Sequence, residues 1–192
     1  MMYEVRSAAG RLALHVAAWS VTAVLLCPGL RAQETLTMDE ALTMAFPSPA
    51  AVVRQTAFLG EADVARAAAL AGPEVEVSQS VVTYYIGVQD SDTLGYAYFD
   101  PHRVRTLPEV LMIVVTPTAT IDRIEVVRFT EPPEYRPPDG WLQTFGGFAL
   151  TDDLSLKGKV ITIAGATLTS RAVTHAARRT LALHSVIRAR AR

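Results

Sequence analysis

The chain carries one cysteine in 192 residues, Cys27. It lies in an N-terminal stretch that reads as a removable leader, so the mature chain is expected to hold no thiol. That excludes disulfides, cysteine-ligated zinc, iron–sulfur clusters and thioether-attached haem. Positive charge is not in excess either: 18 Lys and Arg stand against 19 Asp and Glu. Nucleic-acid binders usually show a basic surplus, so nucleic acid is not an expected partner. No Gly-x-Gly-x-x-Gly follows a strand pattern, which removes the dinucleotide fingerprint. His102, His175 and His184 each lack a second ligand four residues on; no metal motif is read, and surface or capping roles are expected for them. Ser170 and His175 are five apart on a predicted helix and face different ways. No Ser-His-Asp set or paired carboxylates remain, so a hydrolase is not expected.

The leader is what the first residues do offer. Arg6 and Arg11 give a positive start, Leu12 to Leu26 is mostly apolar, and Ala32 precedes a plausible cut before Gln33. The apolar run is short for a membrane span. Export to the periplasm or another extracytoplasmic compartment is therefore expected, with an uncleaved membrane anchor as the alternative. A lipid anchor at Cys27 is disfavoured because Leu26 stands where a small residue belongs. Loss of residues 1–32 removes three arginines and one glutamate and leaves a net charge near −3. About 160 residues remain, enough for one domain resting on its own core. Residues 33–75 read as a helical cap region, 76–187 as the main domain and 188–192 as a solvated basic tail.

Along the mature chain, residues 37–46 read as a helix, with Thr37 and Glu40 in capping-box spacing and Pro47 closing it. Ala51 to Phe58 suits a strand. Gly60 to Leu70 is alanine-rich and amphipathic, and Gly72-Pro73 ends it. Val75 to Val88 is rich in β-formers. Gln89 to Asp92 is a turn, and Leu94 to Phe99 should pair back as a hairpin. Val110 to Thr116 is a continuous apolar run suited to an interior strand. Pro117 to Thr120 turns it into Ile121 to Phe129. Asp100 to Arg105 reads as a polar loop. Prolines stiffen residues 131–140, and Trp141 to Phe145 is expected to form a helical turn. A last helix is predicted from about Leu168 to at least Leu183. Its apolar stripe is read as Leu168, Ala172, Val173, Ala176, Leu183 and Ile187, with Arg171, His175, Arg178 and Arg179 off it. Strands in the middle and helices at both ends give an α+β class: an antiparallel sheet with flanking helices and a long C-terminal helix.

The most specific chemistry lies where that helix begins, at Ala164-Gly165-Ala166-Thr167-Leu168-Thr169-Ser170. Small residues let a bulky group approach the backbone. The helix start directs free N–H groups and a positive dipole end at that spot, which suits a phosphate. A threonine hydroxyl there is also able to carry one covalently.

This segment, with the strands before it, resembles the FMN-binding domain family, which includes the peripheral flavin subunits of the sodium-pumping NADH:quinone reductase and the Rnf complexes. Gly165-Ala166-Thr167-Leu168-Thr169-Ser170 matches the core of a motif resembling Asp-x-x-Ser/Thr-Gly-Ala-Thr-x-Thr/Ser. Glu131-Pro132 resembles the family's Glu-Thr-Pro turn, and Gly95-Tyr96-Ala97 its glycine-bearing strand. The likeness covers roughly residues 76–184. It departs at Ile161, where the motif has aspartate, and at Ala164, where it has serine or threonine.

The resemblance implies FMN as cofactor, attached by its phosphate to Thr167, or failing that Thr169, by a separate flavin transferase. It points to Gly165, Ala166, Ser170, Glu131, Tyr96 and Arg171 as further cofactor-binding residues. Candidates for the wall of the ring slot are Tyr84, Tyr85, Tyr96, Tyr98, Phe99, Trp141 and Phe145. No catalytic residue and no substrate of its own are assigned. The expected partners are a redox protein or a membrane electron-transfer complex, because a bound flavin does the redox work while the protein positions it. The alternative is a non-redox accessory domain of the same fold that has lost the flavin.

Overall fold

The computed structural model describes residues 35–191; the expected leader lies outside them. Five strands form one antiparallel sheet in the order β1 (Ala51–Phe58), β2 (Val81–Gln89), β3 (Asp92–Arg103), β4 (Pro108–Val115) and β5 (Ile121–Phe129). Helix α1 (Met38–Ala45) covers one face. Helices α2 (Glu61–Ala71) and α4 (Thr167–Arg190) cover the other, and the short α3 (Asp139–Gln143) sits beside β5. The α+β class with a long C-terminal helix is as the strand grouping predicts. Among the described residues no helix is long and apolar enough to cross a membrane.

Local chemistry fixes the ends of these elements. The Thr37 hydroxyl accepts from the Glu40 N–H at 3.2 Å, and the Glu40 carboxylate accepts from the Thr37 N–H at 2.8 Å, a complete capping box. The β2–β3 turn puts Asp90 and Ser91 at φ +50° and +78°, the left-handed pair that a two-residue hairpin needs. β4 is apolar from Val110 to Val115 because both its faces are covered. Leu111, Ile113 and Val115 pack toward α4, while Met112 and Val114 pack toward α1. Gly87 of β2 lies directly under the Phe46 ring, which occupies the space a Cβ would need.

Several elements differ from the sequence reading. β2 starts at Val81, not Val75. Residues 76–80 follow Pro73 and the end of α2, and the Glu76 carbonyl there accepts from Arg179 rather than from a strand. β3 runs through Arg103, so Asp100 to Arg103 is strand and not loop. Its polar residues stay in the sheet because they meet charge partners under α4. The helical turn spans Asp139–Gln143, two residues earlier than expected. Leu168 is exposed and Arg179 buried, so the inward stripe of α4 is rotated from the predicted one. His184 is buried too, against the expectation of a surface or capping role. Arg188 and Arg190 belong to α4 and do not form a free tail. Arg188 lies 5.0 Å over the Tyr96 ring, and Arg190 bonds the Phe58 carbonyl and Asp63. β1, in the expected cap region, is hydrogen-bonded to β2, so the sheet continues across that boundary.

Candidate functional site

The start of α4 is built by three small side chains and two buried hydroxyls. Gly165 takes φ +79°, a left-handed backbone that favours glycine, and a Cβ added there would meet nothing within 4 Å. Ala166 follows as the N-cap residue and offers no side-chain cap. The first helical bond is Ser170 N–H to the Ala166 carbonyl at 3.0 Å. The N–H groups of Thr167, Leu168 and Thr169 therefore lack intrahelical acceptors. Ser170 holds the entry in shape. Its hydroxyl donates to the Ala166 carbonyl at 3.1 Å and accepts from the Ile163 N–H at 2.9 Å.

The two threonines separate cleanly. Thr167, the first helical residue, is exposed. Thr169 is only 1% exposed, and its hydroxyl donates to the Tyr135 carbonyl at 2.8 Å. That bond ties α4 to the proline-rich loop. The Arg105 guanidinium lies over the Tyr135 ring, 4.9 Å from its centre. One contact further on, Glu131 accepts from the N–H groups of Arg105, Thr106 and Leu107 at 3.1, 2.7 and 2.8 Å. The Leu107 and Thr106 bonds hold the Glu131 carboxyl below the usual range. Glu131 is thus the clamp of the β3–β4 turn, and it sets where Arg105 stands.

Arg171 lies one turn beyond Thr167 and opens onto a cleft of about 460 Å³. The volume falls within the roughly 300–1,000 Å³ range of small-ligand pockets. Its walls are α4, the end of α2 at Gly72 to Glu74, and the loop around Asp152 to Lys157. Arg178 braces the walls. Its Nε donates to the Ala71 carbonyl at 2.7 Å, and its Nη1 to the Thr151 and Leu154 carbonyls at 2.7 and 3.1 Å. His175 points into the same cleft, with its pKa pushed down by burial and by the neighbouring arginines against the pull of Glu74.

A buried polar network continues below. Arg179 grips Asp100 through Nε and Nη2 at 2.8 and 2.6 Å. His102 bridges Asp100 and Glu109 at 3.0 and 2.9 Å. Burial opposes a charge on His102, but the bonds to the two carboxylates outweigh it and raise its pKa to about 9. The other Glu109 oxygen is fully buried and has no hydrogen-bond partner among the described residues.

Of the residues expected around a cofactor, the structure brings together Gly165, Ala166, Thr167, Thr169, Ser170 and Arg171, with Glu131 reached through Tyr135 and Arg105. It does not bring Tyr96 there. Tyr96 packs on His184 at 4.9 Å, and 17 residues of helix, about 26 Å, separate His184 from Thr167. Tyr84 and Tyr98 join that distant cluster, and Tyr85 and Phe99 lie on the α1 face. Of the aromatic candidates, Trp141 approaches the motif, donating to the Ile161 carbonyl at 2.6 Å. Sequence reasoning missed Tyr135, Arg105, Arg178 and the α2 end. Tyr135 stands four residues after Glu131 in the proline loop, a usable signal. The α2 end gave none, because only folding carries it to α4.

These features define a class: an α+β domain that presents a free hydroxyl and unpaired N–H groups to an anionic group beside a small-ligand cleft. Residues 108–182, from the first residue of β4 well into α4, match the FMN-binding domain family. The chain is a flavin-binding protein with FMN as cofactor. The open space at Gly165, the uncapped helix start and Arg171 one turn on fit such a phosphate-bearing group. No curated protein matches the chain.

Proposed function

We propose that the protein carries FMN through a phosphoester on Thr167 and relays electrons between protein partners on the extracytoplasmic side of a membrane. The observation that carries the attachment site is the contrast between the two hydroxyls. Thr167 Oγ is open to solvent at the helix start, whereas Thr169 Oγ is buried and already donates to Tyr135. Attachment would join the Thr167 oxygen to the FMN phosphorus of an activated anhydride donor, breaking the anhydride bond, releasing its far side and passing the hydroxyl proton to a base of the flavin transferase.

The free N–H groups of the first turn and Arg171 would hold the phosphate, with Arg105 adding positive charge from the Tyr135 side. FMN supplies one- and two-electron redox chemistry. The cleft beside Arg171 would hold the ring, with Gly72 to Glu74 and His175 as walls. His175 is largely neutral near pH 7 and is able to donate or accept a hydrogen bond there. The chain holds no dinucleotide fingerprint, which favours protein partners over a bound nicotinamide donor. The match of residues 108–182 to the FMN-binding domain family favours a flavin carrier over a domain of the same fold that has lost its flavin.

Intact mass of the protein from its own host tests attachment and leader removal together. The expected result is a chain beginning near Gln33 with one FMN added. A bare mass, or an adduct retained in Thr167→Ala, overturns attachment at Thr167.

A further inference from the structure

Among the described residues, the sheet protects each of its open borders except one. The outer side of β5 is covered at both ends. Leu36 N–H bonds the Val127 carbonyl at 3.0 Å, Ile121 N–H bonds the Phe148 carbonyl at 2.9 Å, and Gly147 N–H bonds the Ile121 carbonyl at 2.8 Å. Where β2 and β3 part beyond the Tyr84–Tyr98 pair, β3 carries Pro101, which offers no N–H for a new strand. Among the described residues, β1 has none of these devices. It is eight residues long, contains neither proline nor lysine, carries one charge at Arg54, and is exposed at every residue but the half-buried Ala57. Long flat edges of this kind pair with other strands.

The ladder shows which backbone groups face outward. Leu59 N–H bonds the Ser80 carbonyl at 2.7 Å, so the odd-numbered residues of β1 point their backbone groups to β2. Val52, Arg54 and Thr56 then point theirs away from the sheet. The Phe58 carbonyl, at the end of that outward row, is held by Arg190. The side chains of this row share the α1 face with Val81 and Tyr85. Phe58 is 68% exposed there, Val81 54% and Val52 39%.

We propose that β1 pairs antiparallel with β1 of a second copy, about a two-fold axis through Gln55, joining two five-stranded sheets into one of ten. A two-fold pair of this kind keeps each face on its own side, so residues of like parity meet. Centring on Arg54 would set two guanidinium groups directly opposite each other, which is unfavourable. Centring on Gln55 sets Arg54 against Thr56, Val53 against Ala57, and the exposed Phe58 against the exposed Val52. The two Gln55 amides face each other and satisfy donor and acceptor mutually. The strand is its own complement in this register, which is why a second copy is the occupant. A strand pair buries less than the roughly 1,600 Å² of a standard interface, so the dimer is expected to depend on concentration.

Two experiments read it. Sedimentation across a concentration series should show a monomer–dimer equilibrium. Val52→Glu should weaken the dimer roughly tenfold or more, because symmetry places the change in two cross-strand pairs. Arg54→Pro, which removes an outward N–H without touching the β2 ladder, should weaken it too; if that variant folds poorly, Val52→Glu alone decides. With Cys27→Ser as background, Gln55→Cys should form an intermolecular disulfide on mild oxidation and Arg54→Cys far less, because Gln55 pairs with itself. A protein that stays monomeric to the highest concentrations overturns the proposal. So does a dimer indifferent to Val52→Glu, or one in which Gln55→Cys fails to cross-link.

Discussion

Arg179 of α4 and Asp100 of β3 are joined by two charge-assisted hydrogen bonds, at 2.8 and 2.6 Å, with both side chains more than nine-tenths buried. The pair links the cofactor helix to the sheet near its middle. Breaking a buried pair by removing one partner leaves an uncompensated charge, at a cost of about 3–5 kcal/mol. Arg179→Met should therefore lower stability by that order in denaturant unfolding. An unchanged midpoint would mean the pair does not form in solution.

The same network gives stability a dependence on pH at both ends. Burial opposes a charge on Asp100, yet hydrogen bonds from His102 and Arg179 hold its pKa below the usual carboxylate value. Its contribution is present above about pH 4 and is lost as pH falls through the lower folded value. His102 is raised to about 9, so its contribution is full below about pH 6.5 and is lost as pH rises toward 9. Unfolding free energy measured from pH 6 to pH 10 should fall along this alkaline limb. In His102→Gln the limb should flatten. A limb of equal slope in that variant counts against the bridge.

The two threonines of the α4 start should part company under mutation. Thr167→Ala should abolish the FMN adduct and change stability little, since the side chain is exposed. Thr169→Val should keep the adduct but lose the bond to Tyr135 and leave that carbonyl unpaired, costing about 1–3 kcal/mol. Intact mass and thermal unfolding, run side by side on both variants, check the assignment.

Ile161 is 74% exposed and stands where the motif it resembles has aspartate. Its carbonyl is held by Trp141, so the backbone there is fixed whatever the side chain. Ile161→Asp should raise the fraction of chains flavinylated in a fixed time by a co-expressed transferase, without altering stability. Equal yields in both proteins would show that the motif aspartate has no part in attachment here.

Gly87 leaves no room for a side chain beneath Phe46. Gly87→Ala should destabilise by about 1–3 kcal/mol, the cost of forcing a group into a packed site. The Phe46→Leu background should recover part of that loss, since it removes the ring from above the glycine.

The sequence was a good guide wherever the cause was local. The capping box of α1, the bounds of β1 and β5, the turn at Asp90 and the glycine-led start of α4 follow from residues within a few positions of one another. The continuous apolar run of β4 also declared its burial on both faces. Failures came where distant residues decided. Asp100 and His102 read as loop because polar residues suit turns; they are strand because Arg179, 79 positions away, neutralises one and Glu109 the other. Tyr96 sits in a segment that resembles the family's, yet the sheet carries it to the far end of α4.

What the sequence alone determined is the list of elements, the small-residue entry to α4 and the hydroxyls placed there, all set by backbone preference and spacing of 3.6 or 2 residues. Which hydroxyl stays free, which arginines stand near it, and which strand is left with an open edge were decided by the tertiary structure. Those outcomes depend on how far each group is removed from water and on partners that only chain folding brings within reach.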